Sequence, residues 1–97
     1  MHIQLSNGTL VTCNDAFLTI EKKQEHPSSQ SALTLISLSS ITGMIVDTDY
    51  VFLCVEGFPR PYDFKHANVV AIKQNPSCIV GNAYEIMELY NQIKARL

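Results

Sequence analysis

Few side chains in this chain could do chemistry, and they are scattered. The histidines are His2, His26 and His66, and the cysteines are Cys13, Cys54 and Cys78. No two cysteines form a CxxC and no two histidines stand four apart, so no zinc spacing is legible. A P-loop, a GxGxxG turn and a GxSxG elbow are all absent from the sequence. His66 has Asp63 and Lys65 beside it, but a general base also needs an orienting partner and a reacting group in reach. It reads as an exposed strand histidine. Cys78 and His66 could be imagined as nucleophile and base, yet nothing in the spacing fixes their geometry. Ser37, Ser39 and Ser40 read as turn and strand-edge hydroxyls. Cys54, inside Val51-Phe52-Leu53-Cys54-Val55, reads as a small buried hydrophobe. The expectation is a protein that is not an enzyme, with no catalytic residues, no cofactor and no metal.

Recognition is better served than catalysis. Gly57-Phe58-Pro59-Arg60-Pro61-Tyr62 joins two aromatics to an arginine, the types enriched at binding hot spots. Its two prolines stiffen the backbone and lower the ordering cost of association. Phe58, Arg60 and Tyr62 are therefore the candidate partner-binding residues. The competing reading folds Phe58 and Tyr62 back onto the end of the core and leaves Arg60 solvated.

Such a loop needs a scaffold, and the first half of the chain alternates with period two. Ile3 and Leu5 share one face of a first strand. Asn7-Gly8 predicts a tight hairpin with φ > 0 at both positions. Leu10 to Thr12 returns, Asn14-Asp15 turns, and Phe17 to Lys22 forms a third strand with Leu18 and Ile20 on one face. Lys22 to Gln30 is polar and reads as a surface loop. Ser31 to Leu38 and Ile41 to Val46 follow as strands, with Gly43 marking a bulge or a close backbone approach. Tyr50 to Glu56 is apolar on both faces, which predicts a central strand. Tyr62 to Gln74 reads as the seventh.

The C-terminus changes period. Asn82 with Glu85 three residues on is a capping-box pattern. Ile86, Leu89, Tyr90, Ile93 and Leu97 then fall on one helical stripe, so a helix over about 83–96 is expected, with Ile86, Tyr90 and Ile93 buried. Glu85 and Glu88 early and Lys94 and Arg96 late complement the helix dipole.

With 97 residues and 10.8 kDa the chain is read as a single domain spanning 1–97. A 46% apolar and 16% charged composition excludes a disordered chain. Its longest apolar run is too short to cross a bilayer, and no basic region leads into an apolar stretch at the start. A formal net charge of −2 gives no global attraction to nucleic acid or anionic lipid. The odd, unpaired cysteines suit a reducing, cytoplasmic setting.

Seven short antiparallel strands and one C-terminal amphipathic helix resemble the order of pleckstrin-homology-like domains. Gly8-Thr9-Leu10-Val11-Thr12 with Phe17-Leu18-Thr19-Ile20 resembles the opening of bacterial PH-like and GRAM-type domains. Ile36-Ser37-Leu38-Ser39-Ser40-Ile41-Thr42-Gly43 is similar to their mid-domain strand. The resemblance implies a barrel or sandwich of bent sheet closed by the helix, binding lipid or protein. Lipid-binding members commonly carry cations around the first hairpin loop, whereas here that loop is Ser6-Asn7-Gly8-Thr9. A second, smaller resemblance, of Ile3-Gln4-Leu5-Ser6-Asn7-Gly8 and Phe64-Lys65-His66-Ala67, is to Sm-like RNA-binding proteins. The function expected is a protein-interaction module, such as a small inhibitor, immunity or adaptor protein that occludes a partner's surface. The alternatives are a membrane-lipid-binding domain, a self-assembling protein whose edge strands pair into a homo-oligomer, or an Sm-like RNA binder. A protein partner is expected; nucleic acid and membrane are not.

Overall fold

The computed structural model describes residues 1–22, 32–58 and 69–97. The surface loop expected at Lys22 to Gln30 lies outside the described residues from position 23 on, and so does the 62–68 part of the expected seventh strand. The described elements are β1 (His2–Gln4), β2 (Leu10–Cys13), β3 (Phe17–Lys22), β4 (Ala32–Ser37), β5 (Ile41–Val46), β6 (Tyr50–Val55), α1 (Val69–Lys73), β7 (Cys78–Val80) and α2 (Ala83–Lys94). A 3-10 turn over Leu38–Ser40 joins β4 to β5. Two antiparallel sheets result, with strand orders β1-β2-β3-β4 and β5-β6-β7. Among the described residues no ladder joins one sheet to the other, so the barrel of the sequence reading is not closed. The Cα radius of gyration is 12.8 Å, close to the roughly 12.5 Å expected of one folded domain of this length.

The first hairpin forms where Asn7-Gly8 placed it, by a different turn. Gly8 N–H donates to Leu5 O at 3.0 Å and Leu5 N–H to Thr9 O at 2.8 Å. Gly8 alone takes positive φ, at 91°, while Asn7 does not. This is a three-residue loop, in which a tight turn is followed by a left-handed glycine that forms a bulge. Asn7 is instead useful through its side chain, whose Oδ1 accepts Thr9 N–H at 3.0 Å. The bulge expected at Gly43 is present as a register shift between Ile41 and Gly43 in the β5–β6 ladder.

β6 is central, as its two apolar faces required. Val51, Leu53 and Val55 join Val11, Leu18, Ile20 and Ile36 of the first sheet in the main core. Its other face, with Tyr50 and Phe52, packs with Ile72 of α1 and Cys78 of β7 in a second cluster. Tyr62 to Gln74 was expected to be a strand, and its described part is not one: Val69–Lys73 is a helical turn. Only Ile72 there is buried, while Val69 and Val70 stay 52% and 61% exposed. One inward residue per turn suits a helix laid over the sheet; a strand would have needed a free ladder beside β6. Cys78–Val80 takes that place as β7, pairing Tyr50 with Val80 and Phe52 with Cys78.

α2 carries the full capping box: Asn82 Oδ1 accepts Glu85 N–H at 2.8 Å and Glu85 Oε1 accepts Asn82 N–H at 3.1 Å. Its buried stripe is Ile86, Leu89 and Ile93, all at 1% exposure or less. Tyr90, expected inside, is only half-buried, with Lys94 Nζ 5.5 Å from its ring centroid. Leu97 is 57% exposed beyond the end of the helix. Twelve residues are marginal as a free helix; burying three side chains, each contributing about 1.5–3 kcal/mol, holds it in place.

Glu85 also reaches the first hairpin. Its Oε2 accepts Ser6 N–H at 2.7 Å and its Oε1 accepts Ser6 Oγ–H at 3.1 Å. Asn7 Nδ2–H donates to Val80 O at 2.8 Å. The hairpin turn is thereby tied to the ends of β7 and α2, across the seam between the sheets.

Two outcomes check this architecture. Ile93→Ala should cost about 2–5 kcal/mol in chemical denaturation, and Tyr90→Ala clearly less, reversing the order if Tyr90 were the inward residue. The hydrogen bond from Asn82 N–H, aided by those from Ser6, holds the Glu85 carboxyl below its ordinary value against the opposing effect of burial, which ranks after Asn82 and ahead of either bond from Ser6. A depressed acid stabilises the fold above its unfolded-state value, and that contribution disappears as pH falls through the lower native value. Stability measured against pH should therefore separate wild type from Glu85→Gln at neutrality and bring them together in acid. A gap that persists unchanged below both values would contradict the latch.

Candidate binding surface

Of the three residues singled out in the loop after β6, the structure describes Phe58; Arg60 and Tyr62 lie outside the described residues. Gly57 sits at φ 86°, and the turn it allows lets Phe58 N–H donate to Val55 O at 3.0 Å. Phe58 is half-buried and packs against the main core. It thus follows the reading in which the aromatic folds back, while lining a small groove with Thr42, Val55 and Glu56.

Among the described residues the candidate chemical groups are not brought together. His2 is exposed on β1, and His26 and His66 lie outside the described residues. Cys78 is fully buried, and burial pushes its thiol up to about 11. A thiol held that high is protonated at neutral pH and is a poor nucleophile. Cys13 is buried and its thiol is likewise raised by burial. Cys54 is half-buried against the second cluster. Ser37 and Ser39 face each other through their hydroxyls at 2.9 Å. Among the described residues no three His, Cys, Asp or Glu side chains gather to hold a metal.

Among the described residues the cations are likewise dispersed. Lys22 Nζ donates to Asn75 O at 3.1 Å, and burial lowers its affinity for a proton. Lys73 pairs with Asp49, and Arg96 Nη1 donates to Gln92 O at 3.2 Å. The first hairpin loop adds the opposite charge: Ser6 is occupied by the Glu85 carboxylate. A phosphate placed there would meet an anion that already holds the loop's donors.

What the structure does concentrate is exposed apolar surface on β3 and β4. Phe17, Leu33 and Leu35 are 44%, 68% and 59% exposed. The ladder sets Thr19 opposite Leu35 and Phe17 opposite Ser37, so Phe17 and Leu35 lie diagonally adjacent on the outer face. Between them and Thr12, Thr19 and His2 runs a shallow groove of about 290 Å³. A second exposed set, Tyr84 and Met87 with Val46 of β5, lies along the outer side of α2.

β4 is an edge strand, paired among the described residues only with β3. The other edges among the described residues are shorter or less regular. β1 and β7 have three residues each, and Val80 O of β7 already accepts from Asn7. β5 is broken by the bulge at Gly43. β4 instead runs six residues, Ala32-Leu33-Thr34-Leu35-Ile36-Ser37, with an unbroken register to β3 and no charge, proline or glycine. Edges are ordinarily guarded by such devices, because an open one templates another strand.

The backbone direction follows from the ladder. Leu38 N–H donates to Ala16 O at 2.9 Å. Antiparallel pairs alternate, so Ala32, Thr34 and Ile36 turn their N–H and C=O groups toward β3. Leu33 and Leu35 turn theirs outward. Residue types alone do not mark this surface. Ser31 to Leu38 reads as a strand, but edge position is set by strand order, which residue periodicity does not contain.

Vesicle binding tests the hairpin reading. Because Ser6 is held by Glu85 and Ser6 to Thr9 carry no cation, the protein should remain in the supernatant with anionic or phosphoinositide vesicles at physiological salt. Salt-sensitive co-sedimentation of most of the protein would contradict it.

Comparison with family models, with curated proteins and with solved structures gives no match for this chain.

Proposed function

We propose that the protein is a non-enzymatic interaction module that takes an extended segment of another polypeptide as an additional strand beside β4. The observation that carries this reading is an edge of six uncharged residues in unbroken register, paired among the described residues only with β3, that exposes Leu33 and Leu35 with Phe17 of β3 beside them. Strand addition draws affinity from main-chain hydrogen bonds and specificity from alternate side chains. Here the backbone groups of Leu33 and Leu35 supply the first, and the Phe17–Leu35 groove supplies the second. Such a module acts as an adaptor or an occluding inhibitor, since its activity is the docking itself.

The order of a four-stranded sheet, a three-stranded sheet and a closing helix supports a pleckstrin-homology-like arrangement for the scaffold. In this reading Phe58 belongs to the scaffold rather than to the docking surface, as its packing on the core suggests.

Selection from a displayed random-peptide library tests the proposal with a defined probe. Wild type should enrich extended peptides of alternating apolar pattern, and their binding should move the amide resonances of Leu33 and Leu35. Leu35→Pro removes an outward donor and should abolish capture; Leu33→Lys, which keeps the backbone, should weaken it at least tenfold with an unchanged melting temperature. Peptides retained equally by both variants would overturn the assignment to β4.

A further inference from the structure

The occupant of the β4 edge can be identified more closely, resting on the strand-addition reading just given. We propose that β4 pairs with β4 of a second copy of this chain, antiparallel across a two-fold axis at Thr34, so that the two four-stranded sheets become one sheet of eight strands.

Three features of β4 favour its own copy. First, the strand is self-complementary in charge. None of its six residues is ionisable, so two copies meet with no like charges opposed, which would be the principal barrier to self-pairing. Second, it is self-complementary in register. With Thr34 on the axis, Leu33 of each copy faces Leu35 of the other, and these are the two residues whose backbone groups point outward. Each Leu33–Leu35 pair then exchanges both of its main-chain hydrogen bonds, which is the bonded type of antiparallel pair. The two threonines form the close, non-bonded pair between them, and cross-strand Thr–Thr pairs are favourable. Shifting the register by one residue would bring an inward-turned backbone group against an outward-turned one and lose the ladder. Third, the leucines and Phe17 lie on one face, so the same pairing joins the two exposed patches into a single strip.

The size of the patch sets the strength. Phe17, Leu33 and Leu35 together expose roughly 300 Å² of apolar surface, against about 800 Å² per partner in a stable interface. Side-chain burial alone therefore does not suffice, and the short ladder must contribute the rest. The result is a weak, concentration-dependent dimer with a dissociation constant on the order of 100 µM.

Sedimentation velocity on purified protein between about 5 and about 500 µM reads this directly. Wild type should shift from the 10.8 kDa chain toward twice that mass across the range, with most of the chain dimeric at the top. Two double variants provide the specific test, Leu33→Lys/Leu35→Lys and Leu33→Glu/Leu35→Glu. Each alone should remain monomeric, because the pairing sets like charges opposite one another. Mixed in equal amounts they should form a heterodimer, since each lysine then faces a glutamate. Melting temperatures near that of wild type at low concentration establish that both variants fold. If either fails to fold, the single variant Thr34→Arg, which crowds two cations at the axis, should by itself raise the dissociation constant at least tenfold. A wild-type monomer at the top of the range overturns self-pairing, as does a dimer that persists in each double variant alone, or a mixture that stays monomeric. Peptide capture that survives alongside a wild-type monomer overturns self-pairing alone; loss of both overturns the strand-addition reading as well.

Discussion

Glu85 is the interaction on which the arrangement of the layers turns. Its carboxylate caps α2 by accepting Asn82 N–H at Oε1 and holds the β1–β2 turn by accepting from Ser6 at both oxygens. The two sheets share no ladder among the described residues, so their relative placement rests on side chains that cross the seam. On one side the crossing is apolar, with Ile86, Leu89 and Ile93 of α2 seated on Val51 and Leu53 of β6 and on the inward face of the first sheet. At the seam itself the crossing is polar, where Ser6 and Asn7 reach Glu85 and Val80. Burial supplies most of the energy. The directional bonds to one carboxylate decide which end of α2 meets which turn.

This closure has a consequence for the edges. The short strands β1 and β7 lie next to the latch, and the register of β5 shifts between Ile41 and Gly43. β6 is covered on both faces, one by the main core and one by α1. Among the described residues, β4 is the one edge strand of six residues whose register is unbroken. An uncharged, exposed edge is an aggregation hazard unless a partner covers it. The proposed pairing converts that hazard into a defined contact.

Much of the scaffold was legible because it depends on local chemistry. Asn82 and Glu85 mark the start of α2 by their spacing, and Asn7-Gly8 marks the first turn even though only Gly8 adopts the left-handed backbone. β6 announces its central place through apolar residues on both faces. The misreadings arose where tertiary packing chose between local options. Val69-Val70-Ala71-Ile72 is rich in β-branched residues, yet it coils because β6 needed a cover rather than another neighbour. Tyr90 and Leu89 both fit the helical stripe, and the core selected the smaller residue, leaving the phenol at the boundary. Phe58 was read both as a candidate hot spot and as an aromatic folded back on the core, and its packing accords with the second reading. Leu33 and Leu35 carried no such distinction in the sequence, because exposure of an edge is decided by which strands lie beside it.

Amide hydrogen exchange along β4, followed residue by residue as concentration is raised, tests the central claim most directly. An open edge that becomes paired predicts an alternating pattern in dilute protein, with Thr34 and Ile36 protected by β3 and Leu33 and Leu35 exchanging freely. On concentrating, Leu33 and Leu35 should gain protection while amides remote from β4 keep their rates. Protection of Leu33 and Leu35 already present at the lowest concentration would mean that the edge is covered within the chain. Free exchange at the highest concentration would mean that no second copy pairs there.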